Sequence, residues 1–158
     1  MSARVLQRIP IYDIRLVQSR RSLRLAETKL DHAALSATAL HALIGLTDRE
    51  HFACLFLNGQ NNIVGAHVAA IGGQHIIGAI DSRTILRAGL AACASAMVVG
   101  HNHPSGDALP SSEDLDCTLA LMRAGEVIGI PVVDHVIVTR NANVYHSMFE
   151  RGTLPRLD

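Results

Sequence analysis

The apolar positions of this chain fall into two rhythms. Runs that alternate with polar residues, or carry almost none, predict strands at "RIPIYDIRLVQSR" (8–20), "HFACLFLNG" (51–59), "NIVGAHVAAIG" (62–72), "SAMVVGHNH" (95–103) and "IPVVDHVIVT" (130–139). Pro10 inside the first makes it an edge strand. Asn58-Gly59 is a turn signal that pairs the second and third as a hairpin. The other rhythm is helical. "DHAALSATALHALIGL" (31–46) carries Leu35, Leu40, Leu43 and Ile44 as an apolar stripe, with Asp31 to cap it and Gly45 to end it. "DSRTILRAGLAAC" (81–93) predicts a second helix capped by Asp81 or Ser82. A third starts near Ser111, after a loop through Pro104, Gly106 and Pro110, and runs toward Gly125. "VYHSMFE" closes the ordered chain. Helices interleaved with strands, one hairpin included, predict an α/β or α+β sheet with helices packed against it.

Composition sharpens this. A chain of 158 residues reads as one domain, large enough to fold without disulfide or metal. Cys54, Cys93 and Cys117 are an odd number with no CxxC spacing, so they are expected to be reduced thiols in the core. The start of the chain shows no uninterrupted apolar segment of the secretory kind. The longest apolar stretch, 88–100, is too short to span a bilayer, and a cytoplasmic location is expected. Charge balances overall but not locally. Residues 1–30 hold seven Arg or Lys against Asp13 and Glu27; the remainder holds seven against twelve acids. A basic strand segment (1–30) thus precedes one domain (31–158). It can be a solvated edge, a partner for acids elsewhere, or a DNA contact through Arg15, Arg20, Arg21 and Arg24.

The chemistry concentrates in "VVGHNHPSGDALPSSED" (98–114). Residues i and i+2 of a strand share a face, so His101 and His103 can aim at one spot. The turn through Pro104 and Gly106 brings back the first turn of a helix, with Asp114 in it. Two imidazoles and one carboxylate are a ligand set for catalytic Zn²⁺ that leaves a fourth position for water. The same letters also permit a plainer reading, because Ser111-x-x-Asp114 is a capping box and Glu113 or Asp116 could replace Asp114. A hydrolytic site needs a base as well, and Glu50, opening the strand at 51–59, suits by position. It could equally be an exposed residue of the polar "TDREH" turn.

"HNHPSGDALPSSED" with an upstream Glu resembles the JAMM motif of the JAB/MPN-domain zinc hydrolases, and within them the RadC-like branch. "DREHFACLFLN", "SRTILRAGLAACASAMVVGHNHPSGD", "AGEVIGIPVVDHVIV" and "SMFERG" extend the resemblance over about residues 45–152. It implies a cytidine deaminase-like mixed β-sheet flanked by helices. It also implies one Zn²⁺ held by His101, His103 and Asp114, Glu50 as proton shuttle, and Ser111 steadying an oxyanion. The implied activity is hydrolysis of a peptide or isopeptide bond in a peptide or protein substrate, under a family label of DNA repair. Asn58 stands where relatives often have Asp, and Ser82 where they often have Pro. Residues 1–44 leave little room for the helix-hairpin-helix-like region of longer RadC-type chains, so the resemblance is to short, core-only forms.

Rival readings fall to the same residues. A zinc nucleobase deaminase needs HxE and PCxxC, and residue 103 is His. The contiguous letters HNH are not the dispersed residues of an HNH nuclease. A DNA-binding module with a non-catalytic zinc remains the alternative. His135 reads as a packed core histidine in preference to one behind the ligands. His51, His67, His75 and His146 lack ligand spacing, and an edge strand offers a route to a homodimer.

Overall fold

The computed structural model describes residues 10–11, 13, 17–72 and 80–157. Helix α1 (Ala33–Leu40) continues into a π-helical turn (His41–Gly45). Strands β1 (Glu50–Leu57) and β2 (Ile63–Gly72) follow, then helix α2 (Ser82–Ala91), strand β3 (Ala96–Asn102), helix α3 (Ser112–Ile128) and strands β4 (Val132–Val138) and β5 (Tyr145–Ser147). One sheet carries them in the order β2-β1-β3-β4-β5. It is antiparallel except for β3 and β4, which run parallel because α3 crosses over between them. The fold is the expected mixed sheet flanked by helices.

Alternation along the strands builds two cores. Ala53, Leu55 and Leu57 of β1, Val98 of β3 and Val136 and Val138 of β4 face Leu40 and Ile44. Phe52, Cys54 and Phe56, with Met97 and Val99, face Ile85 and Leu86 of α2 and Leu121 and Met122 of α3. The odd-numbered residues at the end of β3 therefore point toward α3. Gly100 is where the layers come closest: a Cβ there would lie 2.5 Å from both Leu40 Cδ1 and the Val136 carbonyl oxygen.

Several local expectations need correction. Asp31 does not cap α1; His32 is the N-cap, and the Asp31 carboxylate sits 2.6 Å from the His32 ring. Helix α3 passes through Gly125 and ends at Gly129, whose φ of 80° suits a residue without a Cβ. Gly125 instead permits the chain to return over the helix, for a Cβ there would meet the Ile130 carbonyl oxygen at 2.5 Å. The hairpin turn spans more than Asn58-Gly59: Asn58 Oδ1 accepts from the amides of Gln60 and Asn62, and Asn61 takes the positive φ. Cys54 is buried and Cys117 half-buried, but Cys93 is exposed and is not a core thiol.

Much of the predicted strand at 8–20, Arg15 included, lies outside the described residues. Val17 to Thr28 carry no strand, and Lys29 pairs with Asn62 as an isolated bridge. Arg20, Arg21 and Arg24 are exposed, and Arg21 donates to the Leu43 carbonyl. Among the described residues no helix is long and apolar enough to cross a membrane.

Closure of the layers on Gly100 is testable. Gly100→Ala should cost about 1–3 kcal/mol by overpacking, measured as a lowered urea midpoint. Gly65→Ala, whose Cβ would meet Phe56 at an ordinary 3.8 Å, should leave that midpoint nearly unchanged.

Candidate metal centre

The end of β3 delivers the first two residues of the centre. His101 still pairs within the sheet, opposite Phe52 of β1 and Ile137 of β4. Its ring is 1 % exposed and lies parallel to the Phe52 ring. His103 comes just after the strand but keeps its edge, its amide donating to the Val138 carbonyl at 2.8 Å. Its ring is half-buried, so the centre opens to solvent on the His103 side. The turn after it, with Gly106 at φ 91°, folds the chain back so that His103 Nδ1 lies 2.6 Å from the Asp107 carbonyl. That oxygen only accepts, so Nδ1 holds a proton, and in the neutral ring Nε2 is the bare nitrogen.

The third residue comes from the start of α3. Ser111 is the N-cap, and its hydroxyl accepts from the Asp114 amide at 3.2 Å. Asp114 answers through one oxygen: Oδ2 accepts from the Ser111 amide at 2.7 Å and from the Ser111 hydroxyl at 2.8 Å. The capping box and the ligand-like arrangement are thus the same structure. The cap fixes the carboxylate and leaves Oδ1 over. Oδ1 is buried and accepts no hydrogen bond, and it lies 3.2 Å from His101 Nε2. Glu113 and Asp116, the alternative carboxylates, are exposed.

His101 Nε2 is 2.8 Å from His103 Nε2, and His103 Nε2 is 3.9 Å from Asp114 Oδ2. His101, His103 and Asp114 together could hold a metal ion. A buried carboxylate oxygen without a donor, facing an imidazole nitrogen with a second imidazole beside it, is the pattern a cation completes, because such a group is costly to leave unpaired.

Glu50 opens β1, half-buried. Carrying the β1–β3 register past Phe52↔His101 sets Glu50 across from His103. Sequence reasoning missed what holds it there. Asn102, buried between the two histidines, accepts from the His51 amide at 2.7 Å and donates to the Arg49 carbonyl at 3.0 Å. One side-chain amide thus grips the backbone on both sides of Glu50.

His135 also needs revision. It is fully buried, as a packed histidine would be, but its Nε2 is 2.8 Å from His101 Nδ1 and its Nδ1 is 2.5 Å from Thr118 Oγ1. Thr118 was not singled out from the sequence, although its place four residues after Asp114 puts both on one face of α3. Beside them, burial pushes the Cys117 thiol up to about 11, with the Asp114 charge adding to the effect, so Cys117 is no thiolate near neutrality. His51, His67 and His146 are not members of this ligand group; the His51 ring bonds the Arg49 carbonyl and the His146 ring the Thr153 hydroxyl. His75 is outside the described residues.

The family described as RadC-like JAB domain matches residues 30–153. A UPF0758 protein of Listeria welshimeri is 40 % identical over 104 residues, which are 66 % of this chain and 45 % of that protein. A UPF0758 protein of Desulforamulus reducens is 40 % identical over 107 residues, 68 % of this chain and 46 % of that protein. The chain therefore spans less than half the length of these curated relatives.

The buried imidazoles predict acid lability in the metal-free protein. Burial, then the neighbouring His103, holds the His101 pKa well below the ordinary value; burial, then His101, does the same for His135. Above about pH 6.5 neither the folded nor the unfolded chain protonates these rings, and they contribute no pH dependence. Below it the unfolded chain takes up protons that the folded chain refuses. Stability should then fall as pH falls, by up to about 2.7 kcal/mol per pH unit for two rings. Urea midpoints of chelator-treated protein between pH 7 and 5 measure this, and His135→Gln should flatten the slope.

Proposed function

The chain belongs to the RadC-like JAB domain family, and from that premise we propose that it is a zinc-dependent hydrolase of amide bonds, peptide or isopeptide. The observation that carries this reading is the buried, donorless Asp114 Oδ1 beside His101 Nε2, which in turn faces His103 Nε2. Ligands to tetrahedral Zn²⁺ stand about 2.0–2.2 Å from the ion, hence roughly 3.3–3.6 Å apart. His101 Nε2 stands 2.8 Å from His103 Nε2 and 3.2 Å from Asp114 Oδ1, close to that spacing. Imidazole nitrogen with one carboxylate suits zinc better than calcium or magnesium, which prefer oxygen.

His101, His103 and Asp114 would hold the ion, which when bound supplies Lewis acidity toward a carbonyl and acidifies water. Glu50, across from His103, accepts the proton of the attacking water and passes it to the departing amine. Water and amide become carboxylate and amine. The Ser111 hydroxyl now donates to Asp114 Oδ2. Turning that hydroxyl toward the substrate would let it stabilise the oxyanion.

The basic segment supports DNA association less well. Arg20, Arg21 and Arg24 are exposed, but exposed guanidinium groups specify no ligand. A peptide or protein substrate is the reading retained, at a cytoplasmic location.

Purified protein should contain about one zinc per chain by plasma mass spectrometry, and a His101→Ala/His103→Ala double variant should contain none. Failure of the folded wild-type chain to take up added zinc sinks the proposal. Glu50→Gln should keep the metal and lose at least about 100-fold in hydrolysis of a peptide or isopeptide substrate. Retained turnover would remove Glu50 from the role.

A further inference from the structure

The polar groups behind the ligands form a chain whose hydrogen-bond directions are fixed from one end. Thr118 Oγ1 lies 2.6 Å from the Asp114 main-chain carbonyl. A carbonyl oxygen only accepts, so the hydroxyl proton sits in that contact; the Met148 sulfur, at 3.7 Å, is a weaker acceptor. Thr118 Oγ1 is also 2.5 Å from His135 Nδ1. With its own proton committed, the oxygen accepts here, and the proton belongs to His135 Nδ1. A neutral imidazole has one ring proton, which leaves His135 Nε2 bare. That atom lies 2.8 Å from His101 Nδ1, so His101 must donate from Nδ1. His101 Nε2 is then bare as well, and it is the atom that faces His103 and Asp114. Thr118, His135 and His101 are each no more than 1 % exposed, so no bulk water can supply a substitute partner.

The opposite polarity would close the site. If Thr118 donated to His135, His135 would donate to His101, and the proton would move to His101 Nε2. There it would bridge to His103 Nε2 as an ordinary hydrogen bond, and no lone pair on His101 would remain for a cation. The Asp114 carbonyl selects between the two states. His103 is set independently, by the Asp107 carbonyl.

We propose that Thr118 and His135 are positioning residues that lock His101 as its Nδ1–H tautomer, so that both histidines present bare Nε2 atoms to a divalent cation before it arrives. The purpose rests on the zinc reading above; the tautomer itself rests on the protein's own hydrogen bonds. A main-chain carbonyl of one ligand, Asp114, thereby determines the protonation of another.

The test has two readouts on the full chain. Long-range ¹H–¹⁵N spectra of metal-free protein, taken above the ordinary imidazole pKa of about 6.5, report which ring nitrogen is protonated; His101, His103 and His135 should each be protonated at Nδ1. Zinc dissociation constants by chelator competition form the second readout. Thr118→Ser keeps the hydroxyl and should match wild type in both. Thr118→Val should give mixed His101 tautomers and weaken zinc binding roughly 10-fold or more, and His135→Phe should weaken it about 10–100-fold. His135→Gln, whose amide can accept from His101 and donate to Thr118, should recover most of the loss. If His135→Phe does not fold, the Thr118 pair and the wild-type spectra still decide. A proton on His101 Nε2 in the wild type overturns the proposal. So does a zinc affinity unchanged in Thr118→Val. A wild-type chain with His101 protonated at Nδ1 that takes up no zinc overturns the metal reading and the purpose assigned here, but leaves the polarity standing, so the two failures are distinguishable.

Discussion

The arrangement depends on a carboxylate taken completely out of water. Asp114 is 0 % exposed, and removing such a group from solvent costs several kcal/mol unless its oxygens are met. The sequence meets only one of them. Ser111 satisfies Oδ2 through amide and hydroxyl, and a place in the first turn of α3 adds the favourable field of the helix N-terminus. Oδ1 is left facing His101 Nε2. An oxygen buried without a donor beside an imidazole is one a cation could meet, and the surrounding elements fix its position.

The sheet supplies the rigidity. Its central strand β3 is paired on both sides, antiparallel to β1 and parallel to β4, so His101 cannot shift without breaking two ladders. Gly100 lets Leu40 and the Val136 backbone approach directly behind it. Alternation sends His101 to the α3 face, where Phe52 and His135 pack around its ring. The parallel crossover places the N-terminus of α3 beyond the end of β3, which is where open sheets with helical crossovers commonly bind their ligands.

Much of this was legible in the residues. Unbroken apolar runs with β-branched residues marked β3 and β4, and the period of two explains why His101 and His103 share a target. What stayed hidden depended on partners distant in sequence. Gly125 looks like a helix end by composition; its actual role is to let the Ile130 backbone pass close, which local pattern cannot reveal. Cys93 sits in an apolar stretch, yet the positive φ after α2 turns it outward. Thr118 and Asn102 carry no motif of their own. Their meaning comes from a histidine seventeen residues away in one case and a strand end about fifty away in the other.

Asn102 has a consequence of a mechanical kind. The residue between the two histidines is a splint and not a spacer, since its amide ties the main chain on either side of Glu50 to the strand end that carries the imidazoles. The main chain of Glu50 and the two histidines therefore ride on one stiff bracket. If that strand end flexes, the Glu50 main chain travels with the imidazoles, and the gap between them changes through side-chain rotation and not through sliding of the backbones. The instrument stays in alignment while its mounting vibrates.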